Sequence, residues 1–207
     1  MSVFIYDHPL IDYKLTIMRD KTTPSIIFKQ CLDEIAMLMA YEVSRDWPVK
    51  DMLIETPISP MIGKDLDCQI VLVPILRAGI GLVDGFRAIV PTAKIGHIGL
   101  ERDEKTLEAK EYYAKFPAGI ETSKVIVVDP MLATGGSAID AINQIKKRGA
   151  TDITMVSLVG APVGVIALME AHPDIKLYLA ALDEKLNEVG YIVPGLGDAG
   201  DRLFGTD

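Results

Sequence analysis

Val125-Ile-Val-Val-Asp129-Pro-Met-Leu-Ala133-Thr-Gly-Gly-Ser137-Ala138 is the stretch that decides the fold. Its apolar run stops abruptly at an acid, and a continuous apolar run bounded by turn signals is typical of a strand buried on both faces of a parallel sheet. A Thr-Gly-Gly-Ser segment then leads into a helical pattern. The stretch therefore predicts a buried strand, a short loop and a helix.

The loop in this stretch has the composition of a phosphate site. Its glycines let backbone N–H groups approach an anion, and the following helix N-terminus adds partial positive charge. Thr134 and Ser137 can add hydroxyl donors. The loop lacks the lysine of a GxxxxGK[ST] loop and the spacing of a GxGxxG fingerprint. We predict a phosphate cradle beside the Asp129 carboxylate; the alternative is a ligand-free tight turn that Asp129 caps.

Further apolar runs alternate with helical patterns around this stretch. A buried strand is predicted over residues 69–76, and further strands are predicted over residues 94–100, 153–159 and 175–182. Strands that alternate with helices form right-handed βαβ units, in which helices cover both faces of a parallel sheet. The sequence therefore predicts an α/β fold.

The first quarter of the chain is mainly helical in pattern. Helical stripes within about residues 1–48 predict a short helix and then a longer one, which starts after Thr23-Pro24 and ends near Ser44. These helices are expected to pack on the core or on a partner subunit. Residues 49–58 alternate loosely, which predicts an edge strand or a hairpin arm.

The C-terminal end differs from the rest. Residues 190–205 hold five glycines and one proline, and we expect them to be too irregular for a helix and too apolar for a disordered tail. Because no linker or repeat interrupts the chain, we predict one domain over residues 1–207. The N-terminal helical extension covers about 1–48, and a C-terminal segment, the hood segment, covers about 183–207.

Composition narrows the class of protein. The chain has 207 residues, is 49% hydrophobic, and carries a formal net charge of -8, the opposite of what a general binder of nucleic acid or anionic membranes shows. Cys31 and Cys68 lack the spacing of a disulfide framework or a zinc site. No apolar run approaches the roughly 18 residues of a membrane span, and the N-terminus does not resemble a signal peptide. We expect a soluble cytoplasmic protein.

Three predicted strands end in groups that can serve a ligand. Arg77 follows one strand, the charged segment from Arg102 follows another, and Asp129 follows the third. Ligands in open α/β sheets lie beyond the carboxyl ends of the strands, so parallel strands bring all three groups to one edge. The alternatives are a surface ion pair for Arg77 and a solvated charge run at Arg102. The C-terminal glycines either line a pocket or simply wrap the core.

Four motifs resemble the uracil phosphoribosyltransferase family. They are Val73-Pro-Ile-Leu-Arg77-Ala-Gly, Glu101-Arg102-Asp103-Glu104, Val128 to Ser137 and Tyr191-Ile-Val-Pro-Gly-Leu-Gly-Asp-Ala-Gly-Asp-Arg202. The matches run in order from residue 73 to the end of the chain. The resemblance implies a type I phosphoribosyltransferase fold: a central parallel sheet flanked by helices, with a small hood and a protruding hairpin.

The resemblance also implies an activity. The family is a pentosyltransferase of pyrimidine salvage: uracil and 5-phospho-α-D-ribose 1-diphosphate (PRPP) give UMP and diphosphate, with Mg²⁺. The residues implied for PRPP are Arg77, Arg102, Asp129, Pro130, Met131, Leu132, Ala133, Thr134, Gly135, Gly136, Ser137 and Asp198. Those implied for uracil are Ile192, Gly197, Asp198 and Ala199. Catalytic roles are implied for Asp129, Arg102 and Asp198.

Several finer expectations follow from the resemblance. Asp198 is expected near Mg²⁺, which PRPP and water would hold for the most part, and Asp198 is also the candidate general base. A non-proline cis peptide is expected at or beside Arg77. Asp129-Pro130 replaces the two adjacent acids of most type I members, which is the uracil subfamily's own form. Residues 102–115 are expected to form a lid-like hairpin, although the prolines frequent in that region of the family are missing from 107–112.

Other readings stay open at this point. A phosphoribosyltransferase fold can serve as an RNA-binding nucleotide sensor, against which the net charge of -8 argues, and another nucleobase can replace uracil. The apolar excess and the long N-terminal helix predict a homodimer or a larger homo-oligomer. GTP is a further expected effector of the family, for which the sequence offers no site.

Overall fold

The computed structural model of the protein describes residues 2–102 and 109–206, and the side chains at 101, 102, 109 and 110 lie outside the description. The strands are β1 (Ser2–Ile5), β2 (Val49–Glu55), β3 (Pro60–Leu66), β4 (Ile70–Leu76), β5 (Lys94–Ile95), β6 (His97–Arg102), β7 (Ala109–Lys115), β8 (Lys124–Val128), β9 (Met131–Leu132), β10 (Asp152–Gly160), β11 (Lys176–Leu182), β12 (Lys185–Leu186) and β13 (Ile192–Val193). The α-helices are α1 (Pro9–Arg19), α2 (Ser25–Val43), α3 (Val83–Ile89), α4 (Gly136–Lys147), α5 (Pro162–Ala171) and α6 (Ala199–Phe204).

A central, mostly parallel sheet organises the molecule. Its strand order is β1-β11-β10-β8-β4-β6-β7, with β5 beside β4 and β9 beside β10. The pairs are parallel except for β6 and β7, which form an antiparallel hairpin. The predicted α/β architecture with a protruding hairpin is thereby confirmed. Strand β1, which the sequence did not indicate, pairs in parallel with β11 at the edge.

The helices cover both faces of this sheet. Successive residues of a strand point to opposite faces, so each buried strand supplies two cores. On one face, Leu72 and Ile126 pack with the residues of α1, α2 and α3. On the other face, Val71 and Val125 pack with α4 and α5. This double coverage explains why β4 and β8 read as continuous apolar runs.

The N-terminal region matches its predicted helices, and the segment after it is a hairpin. Strands β2 and β3 pair only with each other, as an antiparallel two-stranded sheet. The hairpin exposes apolar side chains: Leu53 is 73% exposed and Ile58, at its turn, is 93% exposed. Of the two predicted alternatives, an edge strand and a hairpin arm, the structure shows the hairpin arm.

The C-terminal region contains a helix that the sequence analysis did not expect. The expectation that residues 190–205 are too irregular for a helix is wrong for α6. The Asp198 side chain accepts a hydrogen bond of 2.9 Å from the backbone N–H of Asp201, so it caps the helix N-terminus. Gly205, at φ 65°, ends the helix in the left-handed region. The capping acid and the terminal glycine outweigh the poor helix propensity of the glycine between them.

The expected lid corresponds to the β6–β7 hairpin, whose connecting residues 103–108 lie outside the described part of the chain. A lid function there stays a prediction. Within the described residues, no helix is both long and apolar enough to cross a bilayer.

Candidate active site

The predicted convergence of strand ends is present. Strand β4 pairs in parallel with both β8 and β6, so all three end at one edge of the sheet. Arg77 directly follows β4, and Asp129 directly follows β8. Arg102 is the last residue of β6, but its side chain lies outside the described part of the structure. The bond between Leu76 and Arg77 is a cis peptide, as expected from the family resemblance.

The phosphate loop, residues 129–137, encloses a small cavity at the start of α4. The cavity has a volume of about 80 Å³ and is lined by Asp129 and residues 131–138. Gly135 precedes the helix at φ 87°, a conformation that side chains rarely adopt. The first N–H groups of an α-helix have no partner within the helix, so those at the start of α4 are suitable donors to an anion.

Two glycines outside the phosphate loop let neighbouring backbone segments pack directly against the loop and against the end of β8. A Cβ atom on Gly164, in the first turn of α5, would lie 2.3 Å from the carbonyl oxygen of Ala133. A Cβ atom on Gly79 would lie 2.4 Å from the carbonyl oxygen of Val128, at the end of β8. Neither distance is tolerable, so glycine is required at both positions for the observed packing of the loops.

A larger cavity lies beside the phosphate loop. Its volume is about 260 Å³. It is lined by Ala78, Asp129, Met131, Ala133, Val189, Gly190, Tyr191, Ile192, Gly197, Asp198, Ala199 and Gly200. Asp129, Met131 and Ala133 line both cavities, so the two spaces meet at the end of β8. All four residues implied for uracil stand in this lining, although more than 50 residues separate them from the phosphate loop.

Five residues of this wall are not among the site residues predicted from the sequence. Val189, Gly190 and Tyr191 come from the loop between β12 and β13, while Ala78 and Gly200 flank the Arg77 side. Tyr191 heads the C-terminal motif and is 48% exposed, so an aromatic residue at the start of a glycine-rich segment was the available signal.

Arg77 lies on the same side as the C-terminal helix. Its side chain is 61% exposed, and its Nη2 is 3.6 Å from Oδ1 of Asp201 in the first turn of α6. A Cβ atom on Gly200 would lie 3.9 Å from the same nitrogen. The structure therefore brings a solvent-accessible guanidinium close to Gly200, which lines the cavity together with Asp198 and Ala199.

The Asp129 carboxyl is electrostatically unusual. Burial raises its pKa from the ordinary 3.8 to about 7; a hydrogen bond from the backbone of Met131 opposes this rise, and the charge of Asp198 adds to it. Without a bound cation, a large fraction of Asp129 is therefore protonated at neutral pH. The two acids share one cavity, where a positive ligand would favour the ionised form of Asp129.

The donor set suits Mg²⁺ shared with a substrate. Among the described residues, no group of three or more His, Cys, Asp or Glu side chains could hold a metal alone. Asp129 and Asp198 nevertheless face the same cavity. Mg²⁺ is commonly bound by one or two carboxylates together with substrate phosphates and water, which is what this pair could provide.

Solved structures identify the class of fold. A protein from Aquifex aeolicus is 35% identical, matches 99% of both chains and has a TM-score of 0.93. An adenine phosphoribosyl transferase from Trypanosoma brucei, at 12% identity, covers 95% of this chain and 88% of its own with a TM-score of 0.61. The fold is that of the type I phosphoribosyltransferases.

Sequence relatives narrow the class to one family. The family model described as uracil phosphoribosyltransferase matches residues 5–206. The curated uracil phosphoribosyltransferase of Halalkalibacterium halodurans is 58% identical over 206 residues, 99% of each chain. That of Pediococcus pentosaceus is 61% identical over 203 residues, 98% of this chain and 97% of its own. The chain belongs to the uracil phosphoribosyltransferase family.

Replacing Gly164 by alanine tests the close contact behind the phosphate loop. Because the added Cβ cannot lie 2.3 Å from the Ala133 carbonyl oxygen, α5 or the loop must shift. We expect Gly164→Ala to weaken binding of PRPP at least tenfold, measured by calorimetry. The matched control is Val163→Ala on the same helix, where the side chain is 50% exposed; its affinity should stay within twofold. Equal affinities in both variants would contradict the role of this contact.

The raised pKa of Asp129 predicts a pH-dependent stability of the free protein. Between about pH 4 and pH 7 the folded state keeps a proton that the unfolded state loses, so stability falls as pH rises and then levels off. The side chain of the Asp129→Asn variant does not ionise, so this decrease in stability with rising pH is absent from the variant. The variant should therefore gain stability over the wild type from pH 4.5 to pH 8, by up to roughly 4 kcal/mol, in urea unfolding. A stability difference between Asp129→Asn and the wild type that stays constant from pH 4.5 to pH 8 would refute the assignment.

Proposed function

We propose that this chain transfers the phosphoribosyl group of PRPP to uracil, giving UMP and diphosphate in pyrimidine salvage. The observation that carries the proposal is the junction of two cavities at Asp129, one built from a phosphate loop and one from the hood segment. Such a junction can hold a ribose phosphate and a base in contact. Membership of the uracil phosphoribosyltransferase family supports the same reaction.

The phosphate loop would hold the 5-phosphate end of PRPP. The N–H groups at the start of α4 and the exposed hydroxyls of Thr134 and Ser137 are suitable donors. Asp129, which lines both cavities, would accept hydrogen bonds from the ribose hydroxyls. Holding the ribose still supplies the orientation that transfer at C1 requires.

The base segment, residues 192–199, would recognise uracil. Ile192 and Ala199 are buried, Gly197 adopts φ 81°, and all three line the cavity, where their backbone N–H and C=O groups would meet the base. Uracil has two carbonyl acceptors and an N3–H donor, which backbone N–H and C=O groups can match. Cytosine reverses part of this pattern and would leave buried polar groups unpaired, which is the basis of strong discrimination.

The leaving diphosphate needs positive charge. As its bond to C1 breaks, negative charge grows on the leaving oxygens, and the exposed guanidinium of Arg77 would neutralise it. Arg102 is proposed for the same task from the family resemblance. Mg²⁺, held by PRPP together with Asp198 and Asp129, would supply further charge stabilisation when bound.

Asp198 is the candidate for accepting the proton that uracil loses at N1. Its Oδ1 accepts the N–H of Asp201, which fixes the orientation of the carboxylate in the cavity wall. A fixed carboxylate beside the base can stabilise the transferred proton without moving.

A direct assay tests the proposed function. Purified protein is incubated with PRPP and uracil, with and without Mg²⁺ and GTP, and UMP is quantified by chromatography; cytosine, hypoxanthine and adenine are offered in parallel. We expect UMP with uracil, dependence on Mg²⁺, and product with no other base. Preference for another base, or absence of product under every condition, would overturn the proposal. The GTP arm tests the expected effector, which rests on the family resemblance.

The role of Arg77 predicts a specific kinetic defect. Arg77→Ala removes a charge-assisted contact worth about 1.5–3 kcal/mol, so kcat/KM for PRPP should fall roughly 10- to 100-fold. The KM for uracil should change much less. Arg87→Ala, an exposed arginine of α3, serves as the matched control and should behave like the wild type. Wild-type kinetics for Arg77→Ala would remove Arg77 from the mechanism.

We also propose a homodimer or a larger homo-oligomer and a cytoplasmic location. The β2–β3 hairpin supports assembly, because it exposes Leu53 and Ile58 on a two-stranded sheet that is apart from the central one. Light scattering should give a mass at least twice the 22.6 kDa of one chain. Leu53→Glu should lower this mass, whereas Lys50→Glu on the same strand should not; a wild-type monomer would refute the assembly.

A further inference from the structure

A second polar cluster lies behind the base segment, outside both cavities. Arg19, the last residue of α1, forms a two-pronged ion pair with Asp183: its Nη1 and Nη2 lie 2.7 Å and 2.6 Å from the two carboxylate oxygens. The Arg19 Nη1 also donates to the carbonyl oxygen of Gly195 at 2.7 Å. The backbone N–H of Gly195 donates to Asp183 Oδ2 at 2.7 Å. Both backbone groups of Gly195 are therefore held by one ion pair.

Asp183 ties this cluster to the central sheet. Its side chain is only 5% exposed, and its backbone N–H donates to the carbonyl oxygen of Gly160 at the end of β10. A buried carboxylate needs its partners, and Arg19 and the Gly195 N–H satisfy it. The ion pair thus fixes the loop around Gly195 relative to the end of β10, although this loop has little regular structure of its own.

Gly195 connects this ion pair to the cavity proposed for the base. It stands at φ 61°, and a Cβ atom there would lie 2.1 Å from the carbonyl oxygen of Ile192, a cavity residue. Gly197, two residues further on, also lines the cavity. Any displacement of Gly195 therefore moves the backbone groups proposed to read the base.

A neighbouring arginine strengthens the link to α1. Arg202 donates to the carbonyl oxygens of Leu196 and Asp20 at 2.8 Å and 2.7 Å, and also to that of Met18. Its guanidinium lies 4.4 Å over the ring of Phe28. The C-terminal end of α1 is thus connected to the base segment at two successive residues, 195 and 196.

We propose that Arg19 and Asp183 are positioning residues that set the affinity for the nucleobase without touching it. This inference rests on the proposed function. Neither residue lines the cavities, and the hydrogen bonds of their side chains to the base segment go to Gly195. A binding wall held in place before the ligand arrives loses less conformational entropy on binding, which raises affinity. Within the described part of the chain, the side chains of this ion pair form no hydrogen bond with the phosphate loop, so we expect the effect at the base rather than at PRPP.

Steady-state kinetics with both substrates test the proposal. The variants are Arg19→Lys, which keeps the charge but loses the planar fork, and Asp183→Asn, which keeps the shape but loses the charge. We expect the KM for uracil to rise about tenfold or more in each and the KM for PRPP to stay within twofold. The double variant should show no more than the larger single effect, because both residues act through one contact.

A control pair separates positioning from general stability. Lys14 and Glu34 form a partly buried ion pair that joins α1 to α2, and their side chains have no hydrogen bond or ion pair with the hood segment over its described residues, 183–206. Lys14→Ala and Glu34→Ala should lower Tm but leave the KM for uracil unchanged. An Arg19 or Asp183 variant with lowered Tm and an unchanged KM for uracil would overturn the proposal, as would an equal rise in both KM values.

Hydrogen exchange supplies a readout that needs no activity. In the substrate-free protein, Asp183→Asn should speed amide exchange across residues 192–199 at least tenfold and leave residues 129–138 unchanged. Unchanged exchange at residues 192–199 would overturn the positioning role itself. If the wild type made no UMP while exchange changed as expected, the proposed function and the link to base affinity would fall, whereas the mechanical link through Gly195 would stand.

Discussion

Direct contact between backbone segments at the carboxyl edge of the sheet is the constraint on which the site depends. Gly79 lets the turn after β4 reach the end of β8, and Gly164 lets α5 reach the phosphate loop. A single methyl group at either position would separate loops that must meet. The parallel strands bring the loops to one edge, but only the absence of side chains lets them close around Asp129. The lack of a side chain at Gly79 and Gly164 is therefore as important for the site as its polar groups.

The chain is acidic, which affects how its site can bind phosphate groups. A protein with a net charge of -8 has to bind a triply phosphorylated sugar without a basic surface. The structure offers backbone N–H groups at the start of α4 and an exposed guanidinium at Arg77. The burial of Asp129 also limits the repulsion, because its raised pKa keeps part of the population neutral until a cation arrives. Helix N–H groups, one guanidinium and the reduced charge of Asp129 thus take the place of a broad basic surface.

Local signals predicted the centre of the fold, and distant contacts determined its periphery. The strand, loop and helix around Asp129 are contiguous, so apolar runs and turn residues were sufficient to predict them. Helix α6 depends on the cap at Asp198, which glycine content concealed. The need for glycine at position 164 arises from a contact with Ala133, and nothing in the neighbouring sequence indicates it. The pairing of Arg19 with Asp183 joins residues 164 positions apart, beyond the reach of any pattern in the sequence.

The order of the chain has a consequence for biosynthesis. The phosphate loop ends at Ser137, whereas the wall of the base cavity is completed by residues 192–200, about 60 residues later. At about 5–20 residues per second, a ribosome needs roughly 3–12 s to produce the intervening chain. The nascent protein therefore possesses the strand and loop of one half of its site before the other half has been translated. Truncated products of interrupted translation would keep the sugar-phosphate elements but could not select a base.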